Sequence, residues 1–364
     1  MQYVRIPAPV DVHVHLREPG YTHKEDIASG TQAAVAGGFA AVLDMPNTSP
    51  PTATLADWEE KSRRARQKAV CDVGFFVAAT QNHAPHVVAQ VAARAVGLKI
   101  YVNETFGSLR IQDLGRLWAY MQVWPGPGPV VVHAEGLMLA AVIGLVALTH
   151  TRVHVAHVSR KEEIALVRAA KARGLPITCE VTPHHLFLTQ DDLASLGPLG
   201  TVRPSLGSRA DQQALWANLD IIDCFATDHA PHTLAEKNSS SPPPGMPGLE
   251  TALPLLGTAV VEGRLTLADV VERVCIRPRR IFCLPMPPET YTELVLGPAW
   301  EVTPQHLFTR ARWSPFTGIM MRARVRRTVI RGQTHFYEGR ITASPGSGLI
   351  LQPVSAHTKN GGAP

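Results

Sequence analysis

The sequence predicts an α/β fold, a (β/α)8 TIM barrel with a small β subdomain formed by the N- and C-terminal segments. Two observations favour the barrel. Eight short β-rich runs alternate with helical patterns between residues 9 and 230, as expected for parallel strands wrapped by helices. Candidate metal ligands stand at the ends of these runs, where (β/α)8 active sites lie. A doubly wound sheet is the alternative, but no Gly-x-Gly-x-x-Gly follows the first run.

The strand and helix patterns follow one another in the order that such a barrel requires. The predicted strands cover residues 10–15, 40–45, 72–79, 98–102, 130–133, 153–158, 177–181 and 221–228. Amphipathic helical patterns lie between most of them, at residues 25–36, 55–69, 86–95, 137–148 and 160–173. The longest apolar stretches are too short to span a bilayer, so we expect no membrane segment.

The chain beyond the eighth strand has a different character. Residues 239–248 read Ser-Ser-Ser-Pro-Pro-Pro-Gly-Met-Pro-Gly and predict a loop, which two helical segments at 249–261 and 267–275 follow. Residues 320–338 read as strands, and we expect residues 4–6 to pair near residues 324–331. Residues 344–364 are rich in Pro, Gly and Ser, which predicts a flexible C-terminal tail or linker.

These patterns predict three regions. A metal-dependent barrel occupies residues 9–285, and a small β region combines residues 1–8 with 286–343. The third region is the tail at 344–364.

Composition excludes several classes of protein. The 45% hydrophobic and 18% charged fractions are those of an ordinary globular protein. Five cysteines without a Cys-x-x-Cys pair, and no secretory signal after Met1, predict a cytoplasmic protein with reduced thiols. The net charge of +5 comes from scattered residues, clustered only at 322–331, and aromatic residues make up 6% of the chain. We therefore expect no nucleic-acid partner and a surface that attracts small anions.

A His-x-His pair at the end of the first strand is the first chemical signal. Residues i and i+2 of a strand share a face, so His13 and His15 can hold one metal ion between them. The pair alone is weak evidence, because histidines at strand ends often serve only as hydrogen-bonding groups. Further candidates follow in or at the ends of later strands: Lys99, His133, His157 and Asp228. Four imidazoles and one carboxylate from separate strands match the ligand preference of Zn²⁺.

Lys99 lies within the fourth predicted strand, between Leu98 and Ile100. Tyr101 and Asn103 share its face, which points its side chain into the barrel. A buried lysine loses proton affinity, and a neutral amine can add CO₂ to form a carbamate that bridges two cations. The other interpretation is a solvated lysine on the strand rim.

Longer motifs extend these signals to a family resemblance. His-Val-His-Leu-Arg at 13–17, Asp-Met-Pro-Asn-Thr at 44–48 and Asp-His-Ala-Pro-His at 228–232 resemble the amidohydrolase superfamily. The stretches at 103–106, 179–186 and 242–251 resemble the dihydroorotase family. The resemblance is strongest to the dihydroorotase domain of the multifunctional animal polypeptide (carbamoyl-phosphate synthetase, aspartate transcarbamoylase and dihydroorotase), and it runs through nearly the whole chain.

The resemblance implies a zinc-dependent hydrolase acting on cyclic amides. A dihydroorotase reversibly cyclises N-carbamoyl-L-aspartate to L-dihydroorotate in de novo pyrimidine (UMP) biosynthesis. Two Zn²⁺ ions per chain are implied, bridged by N6-carboxylated Lys99 and a hydroxide. The implied ligands of the first ion are His13, His15 and Asp228, and those of the second are His133 and His157. Asp228 would also be catalytic, taking a proton from the hydroxide and giving it to the departing ring nitrogen.

The resemblance also implies substrate-binding residues: Arg17, Asn47, Arg203 and His232, with Thr105 and Phe106 at the tip of a loop that closes over the substrate. Guanidinium groups bind carboxylates bidentately, although Arg203 can also be read as a surface arginine. Glu180 is a candidate ligand for an additional zinc. However, Ala156 occupies the position where animal domains can carry a cysteine associated with that ion, which counts against a third zinc.

Family resemblance further implies a homodimer fused to other pyrimidine-synthesis domains. Two alternative functions stay open. Another cyclic amidohydrolase, such as a dihydropyrimidinase or allantoinase, would use the same metals but would not need two arginines for a substrate carboxylate. A non-catalytic scaffold of the same fold would have lost metal ligands that are all present here.

Overall fold

A ring of short parallel strands forms the centre of the computed structural model, which describes residues 1–354. The strands, in chain order, are β1 (Gln2–Pro7), β2 (Val10–Val14), β3 (Ala41–Asp44), β4 (Asp72–Phe75), β5 (Val77–Ala78), β6 (Leu98–Tyr101), β7 (Val130–His133), β8 (Val153–Val155), β9 (Ile177–Val181), β10 (Cys224–Phe225), β11 (Tyr291–Glu301), β12 (Met320–Ile330), β13 (Gln333–Tyr337), β14 (Arg340–Ile341) and β15 (Ile350–Leu351). Each of the eight predicted barrel strands overlaps one or two of these.

Two arcs of parallel strands close into the barrel. One arc runs β2, β3, β4 and the other runs from β5 to β10 in order. The first junction is Phe76, the single residue between β4 and β5. The second is a parallel bridge between Val14 and His229, beyond β10. The (β/α)8 prediction is therefore confirmed, and every strand of the ring ends at the same mouth.

Helices alternate with the barrel strands as the amphipathic patterns predict. They are α1 (Ile27–Ala36), α2 (Leu55–Lys68), α3 (Leu114–Val123), α4 (Leu137–Thr149), α5 (Lys161–Ala172), α6 (Pro183–Phe187), α7 (Leu193–Leu196), α8 (Arg209–Ala217), α9 (Leu234–Lys237), α10 (Leu249–Val261), α11 (Leu267–Val271) and α12 (Arg277–Ile281). Capping boxes begin several of them; Thr54 and Asp57 form the one at α2. The helix expected at residues 86–95 is instead a short 3₁₀ turn, Pro85–Gln90.

An antiparallel sheet of five strands stands beside the barrel, in the order β1, β11, β12, β13 and β14. The expectation that residues 4–6 pair near residues 324–331 is wrong, because β11 lies between β1 and β12. Val4 pairs with Leu294, which pairs in turn with Val325. Thr292 of β11 donates a 2.6 Å hydrogen bond to Gly38 O, which joins the sheet to the barrel.

The segment that follows this sheet returns to the barrel, which corrects the prediction of a flexible tail at residues 344–364. β15 pairs in parallel with β4, with Ile350 opposite Val73. The Asp72 carboxylate binds Arg331 at 2.7 and 2.9 Å and accepts a hydrogen bond from Leu349 N at 2.9 Å. A short apolar run inside a Pro- and Gly-rich stretch is thus a buried strand. The last ten residues of the predicted tail lie outside the described residues.

Two further expectations concern the whole chain. Among residues 1–354, none of the helices combines the length and apolar character needed to cross a bilayer. All five cysteines have free thiols, and four of them are buried.

Candidate active site

Three candidate metal ligands meet at the mouth of the barrel. His13 lies in β2 and His15 follows it, while Asp228 follows β10. The Oδ1 atom of Asp228 lies 3.3 Å from His13 Nε2 and 2.9 Å from His15 Nε2. One ligand atom from each residue lies within 4.8 Å of the others, and all three residues are buried. Two imidazoles and a carboxylate that converge in this way fit a divalent cation such as Zn²⁺.

Unusual backbone conformations aim the side chains into the mouth. Arg17, His157 and Asp228 have φ angles of 60°, 36° and 46°. The left-handed region is unfavourable for residues with a Cβ atom and persists where the surrounding structure enforces it, often at functional sites. Each of the three residues follows the end of a barrel strand, so the turn directs its side chain towards the centre of the mouth.

A second pair of candidate ligands lies beside the first group. His133 ends β7 and His157 follows β8, and His133 Nδ1 lies 2.9 Å from His157 Nε2. The ring centroids of His157 and His13 are 5.2 Å apart. Burial lowers the pKa of both His133 and His157. The Nδ1 atom of His157 is buried without a partner in the described chain, as expected for a nitrogen that receives a metal ion.

Lys99 lies in β6 on the barrel interior, and its side chain is fully buried. Its Nζ atom has no hydrogen-bond partner among residues 1–354. Burial lowers the pKa of Lys99 to about 8, although the charges of Glu180 and Asp228 oppose the shift. A larger fraction of the amine is therefore neutral near physiological pH than in water. An unpartnered amine beside two groups of metal ligands fits a carbamate that bridges two ions.

Glu180, the candidate for an additional metal ligand, lies in β9 beneath the histidines. It accepts a close hydrogen bond from His13 Nδ1 and a 3.1 Å bond from His154 Nε2. It also accepts a 3.3 Å bond from the backbone nitrogen of His157. Burial opposes ionisation, but His13 and His154 hold the pKa of Glu180 below its usual range. Both carboxylate oxygens are thus occupied, and the bond to Nδ1 leaves His13 Nε2 free to face the mouth.

The candidate substrate residues gather on one side of the metal ligands. Asn47 Oδ1 accepts from His15 Nδ1 at 2.7 Å, and Asn47 Nδ2 donates to Phe106 O at 3.3 Å. The Phe106 ring packs edge-on against His232, with centroids 5.1 Å apart, and the Arg17 guanidinium lies 5.0 Å from its centroid. The loop that carries Phe106 therefore covers this part of the mouth.

Lys24 completes this group, and the sequence analysis missed it. Its Nζ atom lies 3.0 Å from His232 Nδ1, 3.0 Å from Glu236 Oε1 and 4.3 Å from the Phe106 ring centroid. No spacing pattern points to Lys24, because it reaches the mouth through the turn that follows Arg17.

The contact with Lys24 fixes the tautomer of His232. An ammonium can only donate, so His232 Nδ1 accepts, and Nε2–H donates to Pro244 O at 3.1 Å. Arg17 Nη2 lies 3.1 Å from that protonated nitrogen and cannot donate to it. Arg17 Nη1 is buried without a partner in the described residues, while Nε donates to Pro231 O at 3.2 Å. The two terminal nitrogens of Arg17 are therefore available to an anion.

The remaining two candidates lie further out. Arg203 is exposed at the rim, close enough to Glu135 that its charge helps to lower the pKa of that carboxyl. Thr105 is partly buried and precedes Phe106 in the covering loop. The structure thus brings Arg17, Asn47, Phe106 and His232 together and leaves Arg203 outside that cluster.

Comparison with known proteins places this chain in a family. Residues 3–114 match the family model described as Dihydro-orotase-like. The dihydroorotase of Pyrococcus furiosus is 33% identical over 372 residues, which cover 99% of this chain and 88% of that protein. The chain belongs to the dihydroorotase family. Multifunctional protein CAD of Squalus acanthias is 49% identical over 346 residues, and this dihydroorotase-family chain spans 15% of the length of that relative.

Solved structures agree with this fold. L-hydantoinase (dihydropyrimidinase) from Arthrobacter aurescens has a TM-score of 0.89 at 24% identity and covers 96% of this chain and 88% of its own. The inactive dihydroorotase-like domain of the Chaetomium thermophilum CAD-like multifunctional protein has a TM-score of 0.82 at 28% identity, covering 96% and 99%. Because one of these dihydroorotase-like folds is inactive, the site residues must decide what this member of the family does.

Proposed function

We propose that this protein is a zinc-dependent dihydroorotase that interconverts N-carbamoyl-L-aspartate and L-dihydroorotate in pyrimidine synthesis. One observation carries the proposal. A group of candidate metal ligands within 4.8 Å of one another lies at the same barrel mouth as the buried Arg17, whose Nη1 atom has no hydrogen-bond partner among the described residues. The substrate combines the two features that this arrangement fits, a cyclic amide and a carboxylate.

We assign the first zinc to His13, His15 and Asp228, and the second to His133 and His157, with carboxylated Lys99 between them. When bound, the ions lower the pKa of water and polarise the amide carbonyl. The convergent donor atoms and the unpartnered nitrogens of Lys99 and His157 support this assignment. A third ion is not proposed, because both carboxylate oxygens of Glu180 accept hydrogen bonds and the Ala156 side chain has no atom that can bind a metal.

The protein's own residues hold the substrate and move its proton. The fork of Arg17 binds the carboxylate in two parallel hydrogen bonds. The Asp228 carboxylate takes a proton from the attacking water and returns it to the ring nitrogen that leaves. His13 and His15 hold the pKa of Asp228 below its usual range despite its burial, so the carboxylate is ionised and has a lone pair for the proton. Phe106 closes over this side of the mouth and excludes water.

Arg17 also distinguishes this function from the alternatives. A dihydropyrimidinase acts on a ring without the carboxylate, and the guanidinium would then stay buried and unpaired, which is costly. Arg203, at the rim, is proposed as a second arginine that approaches the carboxylate when the substrate is bound, and Thr105 as a contact from the covering loop. A scaffold would have no need for six convergent metal-ligand candidates, all of which the sequence retains.

We further propose a catalytic unit at residues 9–285, a β subdomain made of residues 1–8 and 286–343, and fusion to other pyrimidine-synthesis domains in the cytoplasm.

We also propose a homodimer through α4, whose outward face is apolar. Leu137 and Leu148 are 89% and 69% exposed at its two ends, with exposed small residues between them. Leu148→Glu should then convert a dimer into a monomer in sedimentation measurements.

The test of the proposed activity combines metal analysis with turnover. The 364-residue chain loaded with zinc and bicarbonate should hold two zinc ions and open the ring of L-dihydroorotate. A chelator should abolish turnover, and added zinc should restore it. Folded protein that holds two zinc ions but does not turn over dihydroorotate would refute the substrate, and protein without stoichiometric zinc would favour the scaffold.

A further inference from the structure

The side chain of Tyr101 is buried at the barrel mouth, and its hydroxyl makes no hydrogen bond in the described part of the chain. It ends β6, two residues after Lys99 on the same face of the strand, and is 2% exposed. Its hydroxyl has no hydrogen-bond partner within residues 1–354. Tyr120 is also buried, but its hydroxyl contacts Thr80 N, Thr80 O and His83 O at 2.9 to 3.1 Å. A buried hydroxyl without a partner is unfavourable and needs an explanation.

The backbone fixes the direction of Tyr101. The residue pairs with His133 across the parallel ladder, and its carbonyl accepts a 2.8 Å hydrogen bond from Ile111 N. Its ring centroid lies 5.1 Å from Lys99 Nζ and 6.2 Å from the centroid of the His133 ring. The charges of both Asp228 and Arg17 act on its phenol, whose pKa burial raises. The phenol ring therefore lies beside two of the candidate metal ligands, Lys99 and His133.

We propose that Tyr101 is a substrate-binding residue whose phenol O–H donates a hydrogen bond to an oxygen of an anionic cyclic amide held between Arg17 and the metal ligands. This inference rests on the proposed function and deepens it. The substrate supplies the acceptor that the protein lacks. Without a ligand the hydroxyl contributes nothing favourable to folding, and phenylalanine would fill the same apolar space without an unsatisfied polar atom.

The test is Tyr101→Phe in the zinc-loaded 364-residue chain, with Tyr120→Phe as the matched control. Tyr101→Phe should leave the zinc content unchanged and keep or raise the Tm of the free protein. It should lower kcat/KM for L-dihydroorotate about 10- to 100-fold and reduce the rise in Tm that dihydroorotate produces. Tyr120→Phe should do the reverse, lowering the Tm of the free protein while kcat/KM stays at the wild-type value.

Two results would overturn the role of Tyr101. An unchanged kcat/KM with an unchanged dihydroorotate-induced rise in Tm would show that the hydroxyl does not contact the substrate. A lower Tm or a loss of zinc in Tyr101→Phe would assign the hydroxyl to the fold or to the metal site. Failure of the proposed function is separate, because it would appear in the wild-type protein as no turnover and no thermal shift with dihydroorotate.

Discussion

Replacing Arg17 by methionine should separate recognition of the carboxylate from the rest of the chemistry. Methionine keeps much of the apolar stem of arginine but removes the fork. In the folded protein only Arg17 Nε has a backbone acceptor, Pro231 O, while Nη1 is unpartnered and Nη2 faces a protonated nitrogen of His232. The terminal nitrogens of Arg17 therefore contribute little to folding. Their loss should lower substrate affinity and turnover more than it lowers the free energy of unfolding.

The size of the effect follows from these contacts. A hydrogen bond from a charged donor contributes about 1.5–3 kcal/mol, so two such bonds to one carboxylate contribute about 3–6 kcal/mol. This corresponds to a loss of roughly 10²- to 10⁴-fold in kcat/KM for L-dihydroorotate. Lys24, whose ammonium lies nearby, keeps one positive charge at the site and favours the lower end of this range. The free energy of unfolding should change by about 1 kcal/mol or less, because the loss of the Nε hydrogen bond is offset by the removal of a buried charge whose Nη1 has no acceptor in the described residues.

Arg279 provides the control because it is buried in a comparable way. Burial lowers the pKa of both arginines to about 10. However, all three guanidinium nitrogens of Arg279 donate hydrogen bonds to the carbonyls of Ala8 and Pro285, at 2.7 to 3.1 Å. Arg279→Met should cost about 2–4 kcal/mol of stability and leave kcat/KM unchanged.

The assay measures ring opening of L-dihydroorotate and of dihydrouracil, which lacks the carboxylate, together with urea unfolding of each variant. Arg17→Met should lower turnover of dihydroorotate and leave any residual turnover of dihydrouracil at the wild-type level. Equal losses on both substrates, or an intact kcat/KM for dihydroorotate, would refute the assignment of Arg17 to the carboxylate.

Three further predictions test the surroundings of the site. Glu180→Gln should weaken zinc binding about 10- to 100-fold in chelator competition, because His13 loses a charged partner, and an unchanged affinity would contradict this. Lys237 donates to three backbone carbonyls at 2.8 to 3.1 Å, so Lys237→Met should cost about 3 kcal/mol in urea unfolding; a loss below about 1 kcal/mol would show that the carbonyls find other donors. Burial raises the pKa of Glu250 from 4.5 to about 8, so its contribution to stability is present below pH 4.5 and is lost as pH rises through 8. In Glu250→Gln the fall in stability between pH 5 and 8 should be shallower, by at most about 1.4 kcal/mol per pH unit, and an identical pH profile would refute the shifted pKa.

The barrel and the candidate metal ligands were accessible from sequence because both depend on local patterns. Alternating β-rich and amphipathic runs reflect strands and helices that are each buried on defined faces. His13, His133 and Asp228 stand at or just after strand ends, and parallel strands bring those ends to one mouth. A strand-end position therefore implies a shared location even though the residues are up to 215 positions apart.

What the sequence did not reveal depends on long-range pairing. β11 inserts between β1 and β12, which the sequence analysis expected to pair with each other. β15 is a short run that pairs with β4, almost 280 residues away. Lys24 meets His232, which lies 208 residues away, and His154 meets Glu180 of the neighbouring strand β9, so no spacing identifies Lys24 or His154. The position of Arg203 likewise depends on a loop that carries no periodic pattern.

Ring opening by the zinc-loaded wild-type protein tests the central claim most directly. L-dihydroorotate, dihydrouracil and allantoin would be supplied in parallel, and the loss of ultraviolet absorbance or the appearance of the opened product would be measured. We expect turnover of dihydroorotate alone, with N-carbamoyl-L-aspartate as the product. Turnover of dihydrouracil or allantoin in preference to dihydroorotate, by protein with two zinc ions per chain, would contradict the assignment.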